Sequence, residues 1–365
     1  MNQTKKYPRN VIWRRALTTI GRLLLPCLAE IKINGLERLP RKGPAILAGN
    51  HENIIEVLLM AVYSPAIVEF IGTGDVPIDP KFAWLAHSYQ FIPIKRGNVD
   101  RNAIYAAVEV LKAGGVVGIF PQGGIWGADI QSGRSGVAVL SYLSGAPVYP
   151  IGFGGLRGAL TKMIRLKRPR ISIRVGDPLW MTGGEKTQAP SKSELARFSL
   201  RVMSRIAELL PEEEQKTSRK EHEYFDIEVF VRKNGTLSDQ KIILEEETRL
   251  GLGILFHYPV LLDTFKRNLG LPVGCLQKIG EPIAGEEVIT ATNSILDYLE
   301  RENPGFFTYR FGVERGILIR NSLQILKQHA KQHQQDHILL MPIYEYFENG
   351  RSIRLYGVDS LHPLV

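Results

Sequence analysis

The sequence predicts an α/β protein with a second, smaller α+β domain behind it. Three observations carry this. Between Ile31 and Gly176, short β-rich apolar runs alternate with stretches of helical character. Those runs are continuously apolar, which marks strands buried on both faces of a helix-covered sheet. The chain has 365 residues, 44% of them hydrophobic and 23% charged, enough for one large or two ordinary globular domains.

The elements follow in order. Residues 1–30 form a cationic segment. From Val11 to Ile31, Val11, Ile12, Trp13, Leu17, Ile20, Leu23, Leu24, Leu25 and Leu28 are interleaved with Arg14, Arg15 and Arg22. This is the composition of an amphipathic helix lying in a membrane interface, where each basic residue near an anionic leaflet contributes about 1 kcal/mol. The alternative is a docking helix with its charges in water. Residues 1–42 hold ten Lys or Arg against Glu30 and Glu37, nearly all of the chain's net charge of +9. A second basic cluster, Arg157, Lys162, Arg165, Lys167, Arg168, Arg170 and Arg174, has no acid between its ends. Neither cluster has the interleaved aromatics or the module of a nucleic-acid binder, so nucleic acid is not an expected partner.

Residues 31–213 form the main domain. Strands are expected at Ala45–Ala48, Ile67–Ile71, Phe91–Ile94, Val116–Phe120, Val148–Ile151 and Ile171–Val175. Helices are expected at Ile54–Tyr63, Lys81–Ser88, Arg101–Ala113, Ser135–Leu143 and Ser191–Leu210. The charged run from Glu212 to Glu221 reads as a linker. Residues 214–365 form the second domain, where the charge balance changes: residues 216–365 carry eighteen Lys or Arg and twenty Asp or Glu. Its expected strands are Ile227–Val231, Phe307–Phe311 and Ile338–Ile343, and its helices Gln240–Leu255, Glu286–Glu300 and Ser322–His333. Asn349-Gly350, between two apolar runs, signals a hairpin.

The chemistry sits in four blocks. Asn50-His51-Glu52-Asn53-Ile54-Ile55-Glu56 directly follows an apolar run and pairs a histidine with a carboxylate about one helical turn on. Then come Phe91-Ile92-Pro93-Ile94-Lys95-Arg96, Phe120-Pro121-Gln122-Gly123-Gly124 and Val148-Tyr149-Pro150-Ile151. Read singly, His51 is equally a satisfied structural histidine, Glu56 a helix-capping acid, and Lys95-Arg96 a surface pair.

In this order the blocks resemble those of the glycerophospholipid acyltransferase family, whose best-known members acylate lysophosphatidate. The lead-in Asn34-Gly35-Leu36-Glu37-Arg38-Leu39-Pro40 is also similar, and the resemblance covers roughly residues 10 to 213. It implies a mixed sheet of the acyltransferase type and an O-acyltransferase activity. A fatty acyl group would pass from an acyl-CoA or acyl-carrier-protein thioester to a hydroxyl of a lysophospholipid or related glycerolipid or glycolipid. By resemblance His51 is the general base, Glu56 its orienter, Arg96 an anion anchor supported by Lys95, and Gln122, Gly123 and Gly124 acceptor contacts. Pro150 would shape the acyl-binding wall.

Two positions depart from the family pattern. Glu56 stands where the family has aspartate, one methylene shorter. Gln122 stands where it has glutamate, with Gly124 in place of serine or threonine. A glutamine keeps an acceptor carbonyl but loses the charge, so a different acceptor or a non-catalytic lipid-binding homologue are the competing readings, with thioester hydrolysis a third.

The chemistry so implied needs no metal or cofactor beyond the donor thioester. Cys27 and Cys275 give no disulfide framework, and dinucleotide, phosphate-loop, zinc-protease and lipase-elbow motifs are absent. No apolar run reaches the length of a bilayer span, since Arg22 and Pro26 interrupt one candidate and Glu56, Pro65 and Glu69 another. The expected location is peripheral, on the cytoplasmic side of the inner or plasma membrane, held by the N-terminal basic segment.

Overall fold

A computed structural model describes residues 7–51, 54–73, 76–78, 80–94, 100–122, 135–181, 189–217, 224–235, 238–348 and 351–356. They fall into two compact units. The first runs to Lys220, and the second begins at Glu221 and also takes up residues 76–78 and 80–83.

In chain order the first unit contains α1 (Val11–Leu28), β1 (Glu30–Asn34), β2 (Ala45–Gly49), α2 (Ile55–Tyr63), β3 (Val68–Thr73), most of α3 (Pro80–Tyr89), and β4 (Ile92–Ile94). It continues with α4 (Arg101–Lys112), β5 (Val116–Ile119), α5 (Gly136–Ser144), β6 (Val148–Gly154), α6 (Ala159–Ile164), β7 (Arg170–Val175), α7 (Lys192–Glu208) and α8 (Glu212–Thr217). Among the described residues seven strands form one sheet in the order β1-β7-β6-β2-β5-β3-β4. Every pairing is parallel except β6 with β7, so the sheet is mixed.

Alternate residues of each strand face opposite helical layers. Ala45 and Leu47 of β2 pack with Val68, Phe70, Ile151 and Phe153 against α1 and α2. Ile46 and Ala48 pack with Val117 and Val148 against α4, α5 and α7. Both layers are apolar, as continuous runs require. The helix starts are chemically marked: the Asp100 carboxylate accepts from Ala103 N at 3.1 Å, and Ser191 with Glu194 forms a reciprocal capping box before α7.

The main-domain strands and helices lie where the sequence places them, with β6 running on to Gly154. Three features differ. β1 was not expected; it pairs with β7 at the sheet edge. The charged run from Glu212 is not a bare linker but begins as α8, held to the sheet because Glu214 accepts from Gly155 N at 2.6 Å. Burial pushes the Glu214 carboxyl up, which that backbone hydrogen bond only partly offsets.

The third difference concerns α1. Arg14 is fully buried rather than facing lipid or water. Its guanidinium meets the Glu69 carboxylate of β3 on two prongs, at 2.6 and 3.0 Å, and its Nε donates to the Tyr89 carbonyl at 2.8 Å. Arg9 adds a second fork to the same carboxylate. Arg22 is likewise turned inward in part, donating to the Val62 and Ser64 carbonyls. Of the three arginines interleaved in this segment, two therefore fasten α1 to the domain. Its other side exposes Ile12, Trp13, Ile20, Leu23 and Leu24. Among the described residues no helix is long and apolar enough to cross a membrane.

The second unit contains β8 (Tyr224–Arg232), β9 (Asp239–Ile242), α9 (Glu246–His257), α10 (Pro259–Asp263), β10 (Ile283–Ala284), α11 (Gly285–Arg301), α12 (Phe306–Phe311), α13 (Val313–Gln332), β11 (His337–Glu348) and β12 (Arg351–Tyr356). Its sheet is antiparallel throughout, in the order β10-β11-β8-β9 with β12 on β11. Ile227, Val229 and Val231 are buried on alternate positions of β8, as are Leu252, Leu255 and Phe256 of α9 and Ile319, Leu323 and Leu326 of α13. Asn349-Gly350 lies outside the described residues, but β11 and β12 pair antiparallel on either side of it.

Two expectations fail here. Phe307–Phe311 is not a strand but helix α12: Phe306 and Phe307 are buried, and Arg310 reaches back one turn to donate to the Phe306 carbonyl at 2.7 Å. The expected helix from Gln240 starts only at Glu246, because residues 239–242 pair with β8 as β9.

Candidate active site

The site forms where β2 leaves the sheet. In parallel sheets the carboxyl ends of strands carry the crevice in which ligands bind, and β2 and β5 end side by side there. Gly49, the last residue of β2, must be glycine: a Cβ would stand 2.7 Å from Phe153 Cε2 and 3.3 Å from Phe120 Cε1. Asn50 is buried and clasps the backbone of β6. Its Nδ2 donates to the Phe153 carbonyl at 2.9 Å, and Phe153 N donates to its Oδ1 at 2.8 Å. The clasp continues the ladder one residue past the β2–β6 register and fixes where His51 begins.

His51 is held from three directions. Its backbone N–H donates to Gln122 Oε1 at 2.6 Å. Its ring stacks on Phe120, with centroids 4.4 Å apart and planes 23° from parallel. Its Nδ1 faces Glu56 Oε1 at 3.6 Å. That separation is longer than a hydrogen bond, but catalytic contacts are commonly long without substrate and shorten when it binds. Glu56 is fully buried in the first turn of α2, where the helix N-terminus favours its negative charge. Nδ1 is itself buried and has no hydrogen-bond partner among the described residues. The His51 side chain is 19% exposed.

The structure thus brings together His51, Glu56 and Gln122. Pro150 sits in β6 beside Ala48 and packs near Gly176, with its carbonyl accepting from Gly176 N. Lys95, Arg96, Gly123 and Gly124 lie outside the described residues. Sequence reasoning missed the Asn50 clasp, the Phe120 stack and the contact between the Gln122 oxygen and the His51 backbone. Asn50 stood in the motif, yet its partner is 103 residues away. Met60 and Phe153, which crowd Gly49, also line a narrow apolar crevice with Leu36, Leu59, Ile173 and Val175. Among the described residues no group of His, Cys, Asp or Glu is placed to hold a metal.

Known proteins are similar to the same stretch of chain. The sequence model of the family described as Acyltransferase matches residues 30–154, which span β1 to β6 and all four blocks. The 1-acyl-sn-glycerol-3-phosphate acyltransferase of Bacillus subtilis (strain 168) is 23% identical over 189 residues, covering 52% of this chain and 92% of that protein. The crystal structure of the 1-acyl-sn-glycerophosphate (LPA) acyltransferase PlsC from Thermotoga maritima aligns with a TM-score of 0.40 at 19% identity, over 54% of this chain and 79% of that one. Residues 30–154, which carry the His51 block, thus form an acyltransferase domain.

Proposed function

We propose that this enzyme esterifies a hydroxyl of a lysophospholipid, lysophosphatidate or a related glycerolipid or glycolipid, using an acyl-CoA or acyl-carrier-protein thioester. The carrying observation is His51 Nδ1 facing the buried carboxylate of Glu56, with the ring fixed on Phe120. The acceptor oxygen attacks the thioester carbonyl as His51 Nε2 takes the hydroxyl proton. The tetrahedral oxyanion then collapses, the C–S bond breaks, and the imidazolium returns its proton to the departing thiolate. Glu56 holds the ring in one tautomer and stabilises the imidazolium.

Gln122 braces the His51 backbone through its oxygen, leaving its amide N–H groups for the acceptor. Arg96 and Lys95 are assigned to an anionic headgroup on the strength of their block, since an arginine fork matches phosphate oxygens. The enzyme works as a peripheral protein on the cytoplasmic face of the inner or plasma membrane. The exposed apolar side of α1 supports the peripheral attachment, because such a helix binds by burying that face among the headgroups.

The test is product analysis by mass spectrometry. Purified enzyme supplied with labelled acyl thioester and a panel of lysolipids should yield a diacyl product with one or a few acceptors. Thioester loss at equal rates with and without every acceptor would mean hydrolysis and reject the reading.

A further inference from the structure

We infer that the end of α6 and its connection to β7, residues 164–169, form a second membrane contact that inserts Ile164 and Leu166 into an anionic lipid surface. The inference rests on the membrane reading of α1 and extends it to a separate part of the chain.

Ile164 and Leu166 are each 73% exposed, among the barest large apolar side chains described. Lys162, Arg165, Lys167 and Arg168 around them are also exposed. No acid occurs between Arg157 and Arg174 in the sequence. The nearby acid Glu30 is engaged by Arg170 at 3.2 Å and Lys32 at 3.8 Å.

The backbone holds this presentation in place. Leu166 and Arg168 have φ of 54° and 41°, a left-handed conformation that disfavours any residue with a Cβ. Leu166 N donates to the Met163 carbonyl at 3.0 Å, and Lys167 N to the Lys162 carbonyl at 2.8 Å. The loop is also tied to the end of α1. Arg168 Nη2 donates to the Pro26 carbonyl at 3.0 Å, and Glu30 N to the Pro169 carbonyl at 2.9 Å. The tips therefore lie beside the last turns of α1, where Leu23 and Leu24 are exposed.

Two bare aliphatic side chains inside a ring of cations suit one kind of partner. A bilayer takes the apolar tips below its headgroups and sets anionic phosphates against the lysines and arginines. Nucleic acid would leave Ile164 and Leu166 in water.

The experiment is co-sedimentation of the full chain with vesicles of phosphatidylcholine alone or mixed equally with phosphatidylglycerol. Three variants are compared: I164S/L166S, R165Q/K167Q and, on α1, L23S/L24S. All six positions are exposed and outside the site, so thermal unfolding and turnover on a detergent-dispersed acceptor should match wild type. The expected result is that each loop variant binds mixed vesicles about tenfold or more weakly, with R165Q/K167Q unchanged on neutral vesicles. Wild-type binding by both loop variants overturns the inference. If L23S/L24S then still loses binding, the α1 reading stands alone. Loss in the loop variants with none in L23S/L24S keeps the loop and removes the helix. A wild-type chain that binds neither vesicle, or binds equally in all variants, overturns both.

Discussion

Arg14 of α1 and Glu69 of β3, 55 residues apart, form a buried two-pronged ion pair at 2.6 and 3.0 Å, with side chains 0% and 1% exposed. This pair fastens an otherwise surface-seeking helix to the sheet. Removing one partner leaves the other charge buried and unmatched, so Glu69→Leu should destabilise the domain by about 3–5 kcal/mol. Arg14→Met combined with Glu69→Leu should recover much of that. Chemical denaturation checks this, and a double variant no better than the single would show that the pair is not the coupled unit described.

The same pair sets an acid limit. Burial pushes the Glu69 carboxyl up, but hydrogen bonds from Arg14 and Arg9 outweigh it and hold the group below its ordinary value of 4.5. The unfolded chain then binds a proton that the folded one refuses, so stability rises with pH across that window. The contribution is complete above about pH 4.5 and is lost as pH falls through the folded value. Unfolding free energies measured on acidification should fall less steeply in Glu69→Gln than in wild type. Parallel curves would contradict the assignment.

How far the sequence foretold this molecule depends on the range over which each cause acts. The β2 to β7 strands were legible because buried parallel strands are written as local apolar runs, and α7 because Ser191 and Glu194 spell out its cap. Arg14 was misread because an arginine in an amphipathic stretch predicts solvent or lipid, and its carboxylate partner comes from another element. Phe307–Phe311 was misread because aromatics favour strands; their packing with Phe265 and Tyr298 made them a helix instead. At the site, order and residue type revealed His51 and Glu56, whereas the Phe153 and Phe120 contacts follow from strand neighbours that no spacing encodes.

Asn50 carries its own prediction. Asn50→Ala leaves Phe153 N–H and C=O buried without their partners, at roughly 1–3 kcal/mol for each group. It should lower stability and turnover together. Asn50→Asp keeps the acceptor for Phe153 N but loses the donor, and should fall between. Stability by thermal melting and kcat from the same preparations test this, and unchanged values in both would show that the clasp does not position His51.

Gln122 separates brace from recognition. Gln122→Glu retains an oxygen for the His51 N–H and should keep turnover within about tenfold of wild type while shifting the preferred acceptor, because the group gains a charge. Gln122→Met removes the brace and should lower kcat more than it raises KM. Steady-state kinetics on two acceptors distinguish these. Equal behaviour of the two variants would mean that the backbone contact does no positioning.

In the proposed mechanism His51 removes the acceptor's proton. The direct measurement is kcat of His51→Ala for acyl transfer from thioester to the preferred lysolipid, made on protein shown by circular dichroism to be folded. Loss of a general base predicts a fall of about 10²- to 10⁴-fold with KM little changed, and Glu56→Gln should give a smaller fall in the same direction. Turnover by folded His51→Ala equal to wild type would contradict the account.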